Sequence, residues 1–553
     1  MDFYGFYTGR IFDAHEYLGA HPGPGGTTFR VFAPSARAVE LLALDRVLPM
    51  QKIYDGNFYE LTLPEAGPGT VYAYRVHPRQ GDPVDHCDPY GFGMELRPDH
   101  RSVVRDLDEY TFGDDAWRRR PLRPGAGPLN IYEIHLGSWR RREDGGFYTY
   151  EELAEPLADY LTESGYNAVE FLPLAEHPCD ESWGYQTTGF FAPTSRYGTA
   201  AGLMALVDTL HRRGIAVLLD FVPAHFAVDA YGLARFDGTC LYEYPSQDVG
   251  VSEWGSCNFM HSRGEVRSFL QSAAHYWLGR HRFVGLRFDA ISRSLYWQGD
   301  ERRGVNGNGV EFLRTMNQGL QARHPGCILA AEDSTNFEGV TRPAEQGGLG
   351  FTYKWDLGWM HDTLSFLQTD PAARPDAYHK LTFSMLYYYK ERYLLPLSHD
   401  EVVHGKATVL QKMNGGYEGK FPQGRALYLY MMVHPGAKLN FMGNEFGQLR
   451  EWDEGREQDW MLRRYPLHDG FYHFIRDLNR LYLQSPALWA KDDDPDGFAW
   501  LDCHREAQCL YLLERRGGGQ RLGAAFNFSD RPQRFALPAD PDTGARVLLS
   551  TDW

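Results

Sequence analysis

The chain has 553 residues, with 73 acidic against 56 basic side chains, a formal charge of -17 and a sequence pI near 5.7. Single hydrophobic cores stop growing at ~250–300 residues, so two or three domains are expected; the acid excess argues against affinity built on neutralising nucleic-acid phosphates and against polybasic anchoring to a membrane. The composition is otherwise globular, at 43% hydrophobic and 23% charged, but 14% of residues are aromatic; aromatic faces can stack on sugar rings, although core filling is the ordinary role for most of them.

The N-terminus Met1-Asp2-Phe3-Tyr4 shows neither the basic region nor the apolar stretch of a signal peptide. The longest apolar run, Ile215 to Val228, is interrupted by Asp220 and His225 and is too short to cross a bilayer, so a soluble cytoplasmic protein is expected. Seven cysteines, odd in number and scattered without a Cys-x-x-Cys pair, suggest neither a disulfide framework nor a zinc site. From Thr28 to about Val76, short alternating stretches such as Tyr72-Ala73-Tyr74-Arg75-Val76 are separated by Gly and Pro clusters, the pattern of a small β-sandwich.

After an Arg- and Pro-rich connection around Arg118 to Pro128 the rhythm becomes strand and helix in alternation, which implies a parallel sheet. Its first strand, Ile131–Ile134, precedes a capping box, Thr149-x-x-Glu152, and a helix with Leu153, Leu157, Tyr160 and Leu161 on one face. Further strands are predicted at Ala168–Leu172, Ile215–Leu219, Val284–Phe288, Ile328–Ala331, around Leu349–Phe351, Tyr393–Leu397 and Leu439–Met442, and the helix before the fourth carries an apolar stripe from Val266 to Leu278. Eight such units over ~300 residues predict a (β/α)8 TIM barrel, giving an α/β fold. Past Tyr482 the run Asp492-Asp493-Asp494-Pro495-Asp496-Gly497 lacks the spacing of a calcium loop and reads as a turn. Strands return after it, ending with one at Val547-Leu548-Leu549. The expected division is an N-terminal β-sandwich over residues 1–115, a barrel over 116–485, and a short C-terminal all-β domain over 486–553 that looks shortened.

In such a barrel the active site lies at the C-terminal ends of the strands, and four of these end in ionisable groups: Asp220, Asp289, Glu332-Asp333 and His399-Asp400. One carboxylate after a strand is often a helix cap; four on one rim are hard to explain structurally. Along the fourth strand Gly285, Arg287 and Asp289 share one face and Leu286 and Phe288 the other. The apolar pair suits the helix layer, so Arg287 and Asp289 face the barrel interior, where their pairing should lower the Asp289 pKa and keep a carboxylate nucleophile ionised. The plain structural alternative is a buried ion pair that only fixes the barrel. Paired carboxylates across a sugar cleave glycosidic bonds, with retention when they stand ~5–5.5 Å apart. Asp289 and Glu332, on adjacent strands, fit that arrangement if nearby carboxylates raise the Glu332 pKa. Asp400 would stabilise the oxocarbenium-like transition state, and His225 and His399 would donate hydrogen bonds to sugar hydroxyls.

These segments resemble the signature regions of the α-amylase family, family 13 of the glycoside hydrolases: Asp220-Phe221-Val222-Pro223-Ala224-His225, Gly285-Leu286-Arg287-Phe288-Asp289-Ala290, Ala331-Glu332-Asp333-Ser334-Thr335 and Leu397-Ser398-His399-Asp400-Glu401. Longer stretches, among them Trp183-Gly184-Tyr185-Gln186-Thr187-Thr188-Gly189-Phe190-Phe191 and Met442-Gly443-Asn444-Glu445-Phe446-Gly447-Gln448, resemble the 1,4-α-glucan branching enzymes within it. The resemblance implies Asp289 as nucleophile, Glu332 as acid/base and Asp400 as transition-state stabiliser. Arg287, His225, His399 and Asp220 would line the sugar subsite, with Tyr185 as its stacking platform. It implies an enzyme, expected as a monomer, that acts without metal or organic cofactor, cleaves an α-1,4-glucan such as amylose or glycogen and transfers the segment to O6 of an acceptor glucan. The alternative is an amylase or debranching hydrolase of the same family. The N-terminal sandwich resembles the family 48 carbohydrate-binding module, followed by the matching Asp88-Pro89-Tyr90-Gly91-Phe92. Leu42-Ala43-Leu44-Asp45-Arg46-Val47 stands where that module usually has a Gly-Asp-Phe-Asn-x-Trp type loop, Ala224 where amylases have Asn, and Arg293 where a small residue is usual and the acceptor side could be altered.

Overall fold

The structure, a computed structural model, describes residues 1–119, 125, 127–537 and 544–552. Residues 120–124 and 126, within the predicted Arg- and Pro-rich connection, and Trp553 lie outside the described residues. Eight parallel strands close into a barrel in sequence order: β1 (Asn130–Ile134), β2 (Ala168–Phe171), β3 (Ala216–Phe221), β4 (Gly285–Phe288), β5 (Ile328–Ala331), β6 (Tyr353–Trp355), β7 (Tyr393–Leu397) and β8 (Ala437–Phe441), with β8 pairing back to β1. Closure leaves no open edge in the central sheet. Inside, Ile131, Ala168, Ala216, Leu218, Ile328, Trp355 and Leu394 form an apolar plug, while outward-facing Val217, Leu219, Leu286 and Phe288 join the large core under the helices. Period two therefore sorts each strand into an interior face and a helix-facing one.

The helices follow their sequence signals. Helix α1 (Tyr150–Ser164) starts on the capping box, in which the Thr149 N–H donates to Glu152 Oε2 at 2.7 Å and the Thr149 hydroxyl accepts from the Glu152 N–H, and it ends at Gly165 with φ of 79°. Helix α2 (Gly264–Gly279) buries its whole predicted stripe, Val266, Phe269, Leu270, Ala273, Ala274, Trp277 and Leu278. On its outer side α2 also holds the chain's first residues: Ser268 Oγ donates to the Phe6 carbonyl at 2.9 Å, and the Gln271 amide donates to those of Gly9 and Ile11, each at 3.1 Å.

Two predicted strands are corrected. The sixth is Tyr353–Trp355 rather than Leu349–Phe351. Gly347 and Gly350 take φ of 84° and 76°, left-handed conformations that glycine allows and a strand does not. Leu349 and Phe351 are buried as plugs from a loop, with Phe351 edge-on to Phe288 at 5.1 Å. Val547–Leu549 is not a strand; instead Leu549 packs on the core and the Thr551 carbonyl accepts from Arg425 Nε at 2.6 Å. Of the three apolar residues only Leu549 is covered in this way; Val547 and Leu548 stay exposed.

Ahead of the barrel, two antiparallel sheets make the sandwich: Gly19–Gly23, Gly26–Phe32, Phe58–Leu63 and Gln51–Ile53 in one, Arg46–Pro49, Ala38–Ala43, Val71–His77 and Val84–His86 in the other, with Ser102–Val103 added beside Val71–His77. Leu42–Val47 is a tight hairpin with Leu44 and Asp45 at φ of 52° and 56°. Asp88 is bonded within the sandwich: buried, it accepts from Tyr72 and Tyr74 hydroxyls at 2.7 and 3.2 Å, and burial pushes its carboxyl up to about 6. Tyr90, two residues on, stacks on Phe191 of the barrel at 4.9 Å.

After the barrel, β9 (Phe498–Arg505), β10 (Leu510–Gly517) and β11 (Gln520–Asn527) form one antiparallel sheet. The acidic run precedes it as a turn whose Asp492 accepts from Arg515 Nη2 at 2.6 Å. The fully buried Arg515 also donates to the carbonyls of Val433 and Gly497 at 2.7 and 3.1 Å, tying the sheet to the barrel. Removing one side of such a network strands its partners, at about 3 kcal/mol. Arg515→Met should therefore lower the calorimetric unfolding midpoint by a few degrees; an unchanged midpoint would show that the sheet is held by its apolar contacts alone.

Candidate active site

The barrel mouth is organised around Arg287. It leaves the interior face of β4, buried at 2% exposure, with its guanidinium 4.4 Å over the ring of Trp355 on β6. Its Nη1 donates to Asp220 Oδ2 at 2.6 Å and to Asp289 Oδ1 at 2.9 Å, and its Nη2 donates to Glu332 Oε2. Asp220 lies opposite Arg287 across the β3–β4 pairing, and Ala330, two residues before Glu332, lies opposite it across β4–β5. Barrel register, not loop geometry, thus brings these groups together. Tyr185 joins by donating its hydroxyl to Asp220, and its ring stacks on His399 with centroids 5.8 Å apart.

The backbone bends where Asp289 emerges. Ala290 takes φ of 43°, a left-handed conformation that costs an L-residue about 1–2 kcal/mol. Three bonds hold the bend: the Asp289 N–H donates to the Phe221 carbonyl at 3.0 Å, the Ala290 N–H to Glu332 Oε2 at 3.2 Å and the Ile291 N–H to the Glu332 carbonyl at 3.0 Å. Asp289 and Glu332 are thereby fixed to each other through backbone as well as through Arg287.

One guanidinium serves three carboxylates, Asp220 enclosed and Asp289 and Glu332 opening onto the mouth with side chains 14% and 27% exposed, and the direction in which each pKa moves reflects that sharing. Burial is the largest influence on Asp289 and raises its pKa from the ordinary aspartate value; the Arg287 charge opposes this, and the Asp220 charge adds to it. The expectation that Arg287 would hold Asp289 low is therefore corrected: the cation is shared, and desolvation outweighs its share. Burial likewise raises Asp220 against Arg287. Glu332 is raised first by burial, with Arg287 opposing and the Asp289 and Asp400 charges adding, so the predicted direction holds with desolvation as its main cause.

Asp400 stands apart. Its side chain is 59% exposed and accepts from Lys406 Nζ at 3.1 Å. Burial pushes its carboxyl up, but the charges of His399 and Lys406 outweigh that and hold it below its ordinary value. Both predicted histidines are buried. His399 is 4% exposed, and Glu133 of β1 accepts from its Nδ1 at 2.6 Å and from its backbone N–H at 2.8 Å. His225 is 2% exposed and lies outside the Arg287 cluster, 5.2 Å from the Trp254 ring, with burial lowering its pKa to about 4.

Sequence reasoning missed Glu133, Glu170, Trp355 and Lys406. Glu133 and Glu170 lie opposite each other across β1–β2, both fully buried. Burial and the charges of Glu133 and Asp220 push Glu170 well above the ordinary range, and neither of its oxygens has a partner among the described residues. The signal was present: each is a lone acid inside an apolar strand, at the interior phase set by Ile131 and Ala168.

With this geometry in place, the chain can be set beside known proteins. Residues 17–91 match the model for carbohydrate-binding module 48 (isoamylase N-terminal domain), and residues 153–237 match the alpha amylase catalytic domain. The 1,4-alpha-glucan branching enzyme GlgB of Nitrosomonas europaea is 45% identical over 552 residues, covering 96% of this chain and 75% of that protein. That of Bacillus caldolyticus is 43% identical over 545 residues, covering 96% and 82%. The chain belongs to the 1,4-alpha-glucan branching enzymes. More distant solved structures share the fold of this family member: a putative alpha amylase from Salmonella typhimurium superposes with a TM-score of 0.76 at 20% identity over 95% of both chains, and a pullulanase from Paenibacillus barengoltzii with 0.76 at 17%, covering 98% of this chain and 92% of its own.

The His399–Glu133 pair gives a pH prediction. Burial alone would lower the His399 pKa, but the charge and hydrogen bond of Glu133 override it and raise the pKa above 6.5. A group raised on folding stabilises fully below its unfolded pKa, and the contribution is lost as pH rises through the folded value. Thermal midpoints of the wild type and Glu133→Gln should therefore differ most below about pH 6.5 and converge across the window above it. A constant gap across that window would contradict the assignment.

Proposed function

We propose that this protein cleaves an α-1,4-glucan with retention and transfers the released segment to O6 of a second glucan, forming an α-1,6 branch. The observation that carries the assignment of roles is the single guanidinium that bridges Asp289 and Glu332 at the barrel mouth. In the first step an Asp289 oxygen attacks the anomeric carbon while Glu332 gives its proton to the departing glycosidic oxygen, leaving the donor segment esterified to Asp289. The Asp289 charge is one of the influences that raise the Glu332 pKa. Esterification removes that charge, so the Glu332 pKa falls just when the residue must become a base. Glu332 then takes the proton of the acceptor O6–H as that oxygen attacks, releasing Asp289.

In this reading Asp400, at the rim, favours the positive charge that develops on the sugar ring. Asp220, Arg287, Tyr185 and His399 form the pre-set wall on which the donor sugar is held; His225 serves the neighbouring side, beneath Trp254. Amylose and glycogen are the donors and acceptors in this reading, with a monomer in the cytoplasm as its setting. Seven free thiols suit a reducing compartment, and no helix among the described residues is long and apolar enough to cross a membrane.

The test treats amylose with the enzyme and counts reducing ends before and after debranching. Chains released only after debranching are expected; reducing ends that rise at once would make the protein a hydrolase. Asp289→Asn should slow turnover by about 10⁴-fold or more with an unchanged circular dichroism spectrum. Retained turnover would mean that another group is the nucleophile.

A further inference from the structure

Beyond Glu332 the mouth continues into a cavity of about 600 Å³, lined among others by Glu253, Trp254, Ala290, Arg293, Gln298 and Glu332. Among the described residues Trp254 is its one aromatic lining group, set in an otherwise polar wall. That is the composition that receives a hydroxylated ring, with one flat apolar face for the ring and donors and acceptors for its edge. Trp254 is 49% exposed, yet two buried groups pack against it: the Arg293 guanidinium, 4.6 Å from the ring centroid, and His225. Since the side chain of Arg293 is only 9% exposed, it braces Trp254 from within and the uncovered ring surface faces outward.

Arg293 is itself anchored on both sides of the cavity. It pairs with Glu253, next to Trp254, and its Nη1 donates to the Gln298 carbonyl at 2.7 Å. Gln298, held at φ of 58°, returns the tie by donating from Nε2 to the carbonyls of Asp248 and Val251 at 2.7 and 2.8 Å. The segment carrying Trp254 is thus fastened to the loop that follows the Asp289 strand. These contacts tie the wall of the cavity to the loop that follows Asp289.

We propose that Trp254 is a platform for the acceptor glucan chain and that Arg293 is the positioning residue that holds it beside Glu332. This deepens the branching reading and rests on it. An acceptor chain laid on Trp254 brings its hydroxyl to Glu332 ahead of water, so the pair sets how the glycosyl intermediate divides between transfer and hydrolysis.

The experiment uses the full chain with amylose and measures two quantities together: chains released by debranching, and reducing ends that appear before it. Trp254→Ala should lower the ratio of transfer to hydrolysis about tenfold and raise the KM for an added acceptor chain. Trp254→Phe should keep most of the ratio. Arg293→Ala should shift it in the same direction as Trp254→Ala, and Arg293→Lys, which keeps a cation under the ring, should fall between that variant and the wild type. Circular dichroism checks folding. If the alanine variants do not fold, Trp254→Leu, which keeps volume without an aromatic face, must show the loss. A folded Trp254→Ala or Trp254→Leu protein with the wild-type ratio and KM overturns the platform; loss at Trp254 without loss at Arg293→Ala overturns the brace. Wild-type reactions that yield no debranching-dependent chains would overturn the branching reading, and this proposal with it.

Discussion

A cation buried inside a parallel barrel must be compensated or it unfolds the strands around it, and here the compensation is shared in a way that shapes the chemistry. Arg287 lies within the ring of strands with Asp220 on one neighbour, Glu332 at the end of the other and Asp289 two residues further along its own strand. The Trp355 ring lies against the guanidinium. An isolated buried charge costs several kcal/mol, so each of these positions is bound to the others: loss of any one leaves a charge exposed to low dielectric. The barrel's register is what makes the four side chains meet.

The same sharing leaves the carboxylates under-compensated. Asp220, Asp289 and Glu332 are each pushed up by burial, and the single guanidinium does not fully restore any of them. In a resting site this is an unfavourable arrangement; against a sugar whose ring carbon is gaining positive charge it becomes favourable, since the excess negative charge is already in place and fixed by packing. Asp400 and Lys406 at the open rim, and Glu133 with His399 in the wall, complete a field in which the deep groups are constrained and the outer ones solvated. Strain at Ala290 fits the same pattern, because a bend that costs energy persists only where its surroundings over-determine it.

Much of this was legible in the sequence because a strand's alternation is rigid. The interior phase of Gly285-Leu286-Arg287-Phe288-Asp289 follows from Leu286 and Phe288 alone, and the structure keeps it. The capping box and the Val266–Leu278 stripe were legible for the same local reason. What did not show was anything that depends on depth. The Asp289 pKa turns on how completely the mouth is desolvated, which adjacent residues cannot report, so pairing with Arg287 suggested the wrong direction. The sixth strand was misplaced because Leu349 and Phe351 are apolar enough for a strand, while the glycines at 347 and 350 form a loop that plugs the core. Val547–Leu549 shows the converse, an apolar stretch without a strand partner. Glu133 was passed over because one acid among Ile131, Tyr132 and Ile134 looks incidental until His399 is seen against it.

The account stands on Asp289 as the group that carries the donor, and a trapped intermediate tests that most directly. Glu332→Gln, given a maltosyl donor with fluoride as its leaving group, should still be glycosylated, because fluoride needs no proton to depart, and should then stall for lack of a base. Peptide mass spectrometry is predicted to find one maltosyl unit, located on Asp289. A maltosyl unit on Asp220 or Asp400, or fluoride release without any adduct, would contradict the assignment of the nucleophile.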